Sequence, residues 1–366
     1  MNDGAARRSG LEAPVFSAVR IAEILAPPGE PPRLPTAEQA QIIEQPLAGS
    51  VLVIAGAGSG KTETMANRVV WLVANGLAEP SEILGLTFTR KAAGELGERI
   101  AGRLLAFAER LADLRSLGRL SAAEGERAEA LRALMADGLE LPEVGTYNAF
   151  ASAVVQEFGS LAGVAASATV VDEATAWRIA RDIVCRSEDP GLVESEYGIP
   201  ALVKQVIELD HAVSDNLTTF DAVEAAVVEF EAAEGWSFAG NRLKQPYADV
   251  LKAVGAVRAT RVIARLAREF SAEKRRRGLI EFSDQLALAV ETLSRSGDAV
   301  RVLRERSPVV LLDEVQDTSV GQSRLLSTLF AGSSVMAVGD PHQSIYGFRG
   351  ASASNLLSFH RDFAAG

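Results

Sequence analysis

The chain has 366 residues, 48% of them hydrophobic and 23% charged, a length that calls for two domains or one domain with a large insertion. No apolar run approaches the ~18 residues of a membrane span, Arg20 and Glu23 interrupt Val15 to Leu25 against a signal peptide, and one cysteine (Cys185) with three histidines excludes an internal disulfide and leaves no usual zinc set. A cytoplasmic location follows as the expectation, and the net charge of −11 means that any nucleic-acid partner must meet local positive charge.

Residues 1–35 are rich in Pro, Ala and Gly and read as a lead-in, with room for a short amphipathic helix over Ser17 to Leu25. Thr36 is a natural N-cap for a helix through Ile43. The amide of Gln39 in that helix can read both a donor and an acceptor on an adenine edge. Taken alone, a solvated glutamine is the plainer reading.

Val51 to Thr62, VLVIAGAGSGKT, is the most informative stretch. Its apolar start suits a buried parallel strand. Ala55, Gly56, Ala57, Gly58, Ser59 and Gly60 then form a turn without bulky side chains, and Lys61-Thr62 opens a helix with Met65, Val69 and Leu72 on one face. Strand, glycine-rich turn and helix start form the arrangement that cradles a triphosphate. Backbone N–H groups face the phosphates, Lys61 reaches the β/γ-phosphates, and the Thr62 hydroxyl ligates Mg²⁺. Ala55 stands where the strict pattern has Gly, and its small side chain still lets the loop close.

Ile83 to Phe88 reads as a second buried strand running into a helix that begins at Thr89-Arg90-Lys91. Hydroxyls, a basic pair and a helix N-terminus at a strand's end can hold a nucleic-acid phosphate, or form an ordinary strand–helix junction. Residues 101–141, dominated by Ala, Leu, Arg and Glu, read as a structural helical insertion. Residues 166–275 are mostly helical. There Val250, Leu251, Val254, Val257, Ile263, Leu266 and Phe270 share an apolar face, and Arg258, Arg261, Arg265 and Arg268 share another, followed by Lys274 to Arg277. That stripe is either a nucleic-acid contact or, more plainly, a solvated face.

Val309 to Leu312 is a third buried strand and ends in Asp313-Glu314. Asp313 would hold Mg²⁺, and Glu314 would take a proton from the attacking water. Val335 to Val338 is a fourth, ending in GDPHQSIYGFRG. Gln343 lies where an amide can sense a γ-phosphate, and Tyr346 and Phe348 beside Arg349 suit base stacking, worth ~1–3 kcal/mol per base.

GAGSGKT, LTFTRKAAGEL, IEFSDQL, LLDEVQDTSVGQSRLL and VGDPHQSIYGFRGA, in this order, resemble the superfamily 1A DNA helicases of the UvrD/Rep/PcrA type. Thr-Phe-Thr-Arg-Lys and the wording around the P-loop are most similar to the actinobacterial AdnAB type, and to its AdnB subunit in particular. The resemblance implies an ATP- and Mg²⁺-dependent 3′→5′ motor on single-stranded and duplex-junction DNA, acting in repair or recombination, and for the AdnAB type a heterodimeric helicase–nuclease partner subunit. It gives Gln39 the adenine contact, Lys61 the phosphates, Asp313 and Glu314 metal and base, and Gln343 the link from nucleotide to DNA. Phe88, Phe282, Tyr346 and Phe348 would form base pockets, and Thr87 and Thr89 backbone contacts. Asn148 stands where many relatives have His, Phe348 where some have Trp, and Glu63 where some have Arg.

The expected fold is α/β, a parallel P-loop NTPase (RecA-like) sheet with an inserted helical subdomain. Residues 1–32 would be a lead-in. Subdomain 1A would be assembled from 33–105, 143–165 and 276–366, with helices at 106–142 and a helical subdomain 1B at 166–275. The family's second RecA-like domain, with its arginine fingers, would lie beyond this sequence, so the chain alone is expected to bind ATP weakly and hydrolyse it little. An ATP-regulated DNA-binding subunit without motor activity is the alternative. A P-loop kinase fits less well because of the DEVQD and GDPHQ glutamines and the aromatic loop, and a GTPase because no guanine-reading segment is present.

Overall fold

The computed structural model describes residues 14–27, 29–56, 58–136, 141–164, 168–194, 197–232, 248–343 and 354–364. The chain divides into two compact units. The first comprises Met1–Phe150, Gly297–Thr318 and Gln322–Gly366, and the second Ala151–Ser296 with Ser319–Gly321.

In the first unit, α1 (Ala18–Leu25) and α2 (Ala37–Ile43) precede β1 (Ser50–Ile54) and α3 (Lys61–Ala74). β2 (Ile83–Thr87), α4 (Arg90–Ser116), α5 (Ala122–Ala136) and β3 (Glu143–Thr146) follow, and α6 (Tyr147–Phe158) runs on into the second unit. The second unit holds β4 (Thr169–Val170), α7 (Glu173–Arg186), α8 (Gly191–Glu194), α9 (Ile199–Asp215), α10 (Phe220–Glu231), α11 (Ala248–Arg276), β5 (Leu279–Ile280) and α12 (Phe282–Arg295). Back in the first unit come α13 (Gly297–Arg306), β6 (Val309–Leu312), α14 (Val320–Phe330, whose first two residues group with the second unit), β7 (Ser334–Gly339) and α15 (Ser354–Asp362).

The sheet is five-stranded and wholly parallel, in the order β1-β7-β6-β2-β3. β2 and β6 are buried along their whole length, as their apolar runs require. Parallel pairing puts the ends of all five strands on one edge, where open α/β sheets bind ligands. β3 was not expected as a strand. Its four residues, EVGT, contain one large apolar side chain and lie at the edge of the sheet.

Met65, Val69 and Leu72 on α3 are fully buried, each contributing ~1.5–3 kcal/mol of burial. Residues 106–136 are helical and lie between β2 and β3. α4 runs unbroken from Arg90 to Ser116, and α5 folds back so that Arg127 donates to the Ala74 and Val73 carbonyls at the end of α3. The lead-in carries, from Val15 on, the short helix that its sequence leaves room for. Ser17 caps α1, and the fully buried Phe16 meets Phe107 edge-on at 5.4 Å between ring centres.

The second unit packs α7, α9 and α11 around Ile179, Ile183, Val203, Val206, Ile263, Leu266 and Phe270. β4 and β5 pair in parallel, joining the unit's early and late segments. Residues 151–165 and 276–296, expected with the sheet, group with the helical unit, because α12 packs on α9. Among the described residues no helix is long and apolar enough to cross a membrane.

Candidate nucleotide site

The loop after β1 is built for a backbone cradle. Ala55 N–H donates to the Gly339 carbonyl on β7, which fixes the end of β1. Gly58 and Gly60 have φ of +72° and +83°, a left-handed backbone that a side chain would strain. Ser59 Oγ donates to the Gly56 carbonyl at 2.8 Å and closes the turn. Gly60 is the N-cap of α3, so the free N–H groups of its first turn, the half-buried Lys61 and the half-buried Thr62 all belong to this loop. Ala57 lies outside the described residues.

Gln39 is joined to the same loop. Thr36 and Gln39 form a reciprocal capping box at the start of α2, and Gln39 Nε2 donates to the Ser59 carbonyl at 3.1 Å. The other end of α2 is fastened by Arg68 on α3. Its guanidinium is buried and donates to the carbonyls of Ile42, Ile43 and Gln45 at 3.3, 3.0 and 2.9 Å. Burial pushes the Arg68 pKa down to about 10.

Asp313 closes β6, with its N–H on the Leu86 carbonyl and its own carbonyl accepting from the buried Tyr147 hydroxyl at 2.6 Å. Burial, and then the neighbouring Glu314 charge, push its carboxyl up to about 6. Burial and the charges of Asp313, Glu314 and Asp317 hold the Tyr147 hydroxyl well above its ordinary pKa, so it remains a donor. Glu314 has φ +52° and ψ +42°, a left-handed conformation for a residue with a side chain. Its Oε2 lies 3.8 Å from Lys61 Nζ and accepts from Gln316 Nε2 at 2.6 Å. Gln316 Oε1 accepts from Asp340 N–H at 2.9 Å, and Gln343 Nε2 donates to Asp340 Oδ2. Those contacts from Gln343, and one from His342 N–H, lower the Asp340 pKa. A continuous polar path thus runs from Lys61 through Glu314, Gln316 and Asp340 to Gln343.

Gln316, Asp340, Tyr147 and Arg68 were not singled out from sequence. The first two sit inside the DEVQD and GDPHQ blocks, so their signal was present in the spacing. Gly339 belongs with them, since a Cβ there would come within 2.8 Å of Gln316 Oε1.

The described residues expected on DNA come from both units. Thr87 is fully buried at the end of β2 and offers no surface for a backbone contact, because β3 and β6 flank its strand. Phe88 is half-buried, and exposed Thr89 caps α4 by accepting from Ala92 N–H. Phe282 opens α12 in the second unit and is 66% exposed. Tyr346 and Phe348 lie outside the described residues. Asn148 accepts from Gln322 Nε2 at 2.9 Å, and Glu63 pairs with Arg103 and Arg99. The arginine stripe on α11 is occupied by acids. Arg258 and Arg261 pair with Glu231, Arg265 with Asp189, and Arg268 with Asp221 and Glu224.

The loop, the paired acids and the glutamine path describe a nucleoside-triphosphate site in outline. The hydroxyl of Thr62 and the carboxylate of Asp313 are hard oxygen donors of the kind Mg²⁺ takes. Residues 35–364 match the family model described as the UvrD/REP helicase N-terminal domain. The chain is 26% identical over 327 residues to an ATP-dependent DNA helicase PcrA of Leuconostoc citreum, covering 89% of this chain and 35% of that protein. It is 26% identical over 322 residues to a probable DNA helicase II homolog of Rickettsia conorii, with 86% and 39% covered. A PcrA of Staphylococcus aureus is 23% identical over 316 residues, with 86% and 34% covered. The chain thus spans 34–39% of the length of these relatives. With the match running through both units, from the capped helix of Gln39 to the end of α15, the chain belongs to the UvrD/REP helicase N-terminal domain family.

Proposed function

We propose that this chain is the ATP-binding first motor domain of a DNA helicase that translocates 3′→5′ on single-stranded DNA, with duplex junctions as its working substrate. The observation that carries the reading is the path from Lys61 to Gln343, which gathers groups from the ends of β1, β6 and β7. Lys61 holds the β/γ-phosphates and Gln39 the adenine. Glu314 takes the proton of the attacking water. Thr62 and Asp313 hold Mg²⁺, which when bound neutralises phosphate charge. Gln343 senses the γ-phosphate and passes its state along the path. Phe88, Thr89 and Phe282, with Tyr346 and Phe348, grip the strand.

The sheet unit corresponds to subdomain 1A and the helical unit to subdomain 1B. The AdnB-like wording of the P-loop and the Thr-Phe-Thr-Arg-Lys block supports a protein that works in the cytoplasm beside a helicase–nuclease partner subunit, in DNA repair or recombination.

The test is a titration with a fluorescent single-stranded oligonucleotide, with and without a non-hydrolysable ATP analogue, at two salt concentrations. Affinity that falls with salt and shifts with the analogue supports the reading. Strand displacement by the intact protein must then vanish in Lys61→Ala. Unchanged displacement in that variant ends the assignment.

A further inference from the structure

Lys274, in the last turn of α11, is 1% exposed. Its ammonium donates to Asp210 Oδ2 at 2.6 Å, Glu281 Oε2 at 2.7 Å and Asp284 Oδ2 at 2.9 Å, and lies 4.7 Å from the centre of the Phe270 ring. His211 Nε2 stands 3.0 Å from the other Glu281 oxygen. Asp210 and His211 belong to α9, whereas Glu281 and Asp284 are the N-cap and third residue of α12, joined to each other in a capping box.

Burying an ammonium with three carboxylates is an expensive way to hold helices together. Apolar residues of similar volume often do so as well, and in some proteins such clusters instead secure one geometry among alternatives. Here the geometry secured is the first turn of α12. The residue between the N-cap and the rest of that turn is Phe282, 66% exposed, whereas Leu286, Ala289 and Leu293 further along the helix are buried.

We propose that the Lys274 cluster is a positioning device for Phe282: it locks the N-terminal turn of α12 so that the ring is presented in a single outward orientation to a nucleic-acid base. The proposal rests on the reading of Phe282 as a base platform. Lys274, first residue of a basic run that reads most plainly as a solvated face, instead acts from inside the protein through an aromatic it does not touch.

The experiment is a double-mutant cycle on single-stranded oligonucleotide affinity in the intact protein, with folding followed by circular dichroism. Phe282→Ala is expected to weaken binding about 5- to 150-fold. Lys274→Met is expected to lose a comparable factor, and to lose nothing further when Phe282→Ala is already present. Because Lys274→Met strands two buried carboxylates and a half-buried one, Asp284→Ala provides a milder variant, and Asp284→Asn, which keeps an acceptor for the Glu281 N–H, is expected to restore most of the affinity. If folded Lys274→Met or Asp284→Ala weakens binding equally with and without the Phe282 ring, or not at all, the positioning role is overturned. If Phe282→Ala alone leaves affinity unchanged, the base-platform reading falls first and the proposal falls with it.

Discussion

Lys61 Nζ reaches to 3.8 Å from Glu314 Oε2 although β1 and β6, the strands that deliver them, are separated in the sheet by β7. The P-loop lysine and the proposed base therefore share one space at the strand ends. In the proposed function, a phosphate bound there would take over the lysine and release the carboxylate toward water. Lys61→Ala is expected to abolish nucleotide binding. Glu314→Gln is expected to retain it and lower the hydrolytic rate by about 10²- to 10⁴-fold, the usual value of a general base. Equilibrium binding of a fluorescent ATP analogue, beside steady-state phosphate release by the intact protein, checks both.

The backbone at Glu314 gives a second test. A left-handed conformation costs a residue with a Cβ ~1–2 kcal/mol, and such strain is tolerated where function requires it. Glu314→Ala keeps that cost and Glu314→Gly removes it. The glycine variant is expected to be about 1 kcal/mol more stable than the alanine variant, with both inactive in hydrolysis. Equal denaturation midpoints would show that φ at this residue relaxes once its carboxylate is gone.

What the sequence disclosed follows from where its signals are strong. β2 and β6 are continuous apolar runs because both their faces are covered, and Val51 to Thr62 carries its conformation in its glycines. β3 escaped notice because an edge strand of EVGT needs little apolar character. Residues from Val15 looked like a tail, yet Phe16 is buried against Phe107, a contact between positions far apart in the chain that no local pattern reveals. Lys274 looked like one of four surface cations. Only the fold brings Asp210, 64 residues away, against it. Local motifs declared the phosphate loop, whereas the side chains that orient it depend on tertiary neighbours.

Arg68 is the clearest of those neighbours. Its guanidinium supplies donors to three carbonyls at the end of α2 without an acidic partner at that contact. Removing it takes this donor from the buried Ile43 carbonyl, at ~1–3 kcal/mol for such a group. Arg68→Met is therefore expected to lower stability by about that amount and to free α2 at one end, so that Gln39 holds its place less firmly. The check compares ATP with GTP. The variant should lose preference for ATP while its affinity for the triphosphate common to both changes little. An equal loss for both nucleotides would mean that Arg68 supports the whole loop and not the base-reading helix.

His211 is the group through which pH is expected to act on the second unit. Its hydrogen bond to Glu281 raises its pKa above 6.5, burial opposes the rise, and of the other charges facing it Asp210 favours and Lys274 disfavours the proton. A histidine with a raised folded-state pKa contributes stability that is complete below its unfolded pKa and is lost as pH climbs through the folded value. Stability against urea should therefore fall as the pH rises above about 6.5. His211→Gln keeps a donor for Glu281 but cannot titrate, so its profile over that window should be flatter. If wild type and variant decline in parallel, the proton on His211 does not differ between folded and unfolded chains, and the Glu281 contact is an ordinary neutral hydrogen bond. If only the wild type declines, the contact is an ion pair that closes the Lys274 cluster from the α9 side.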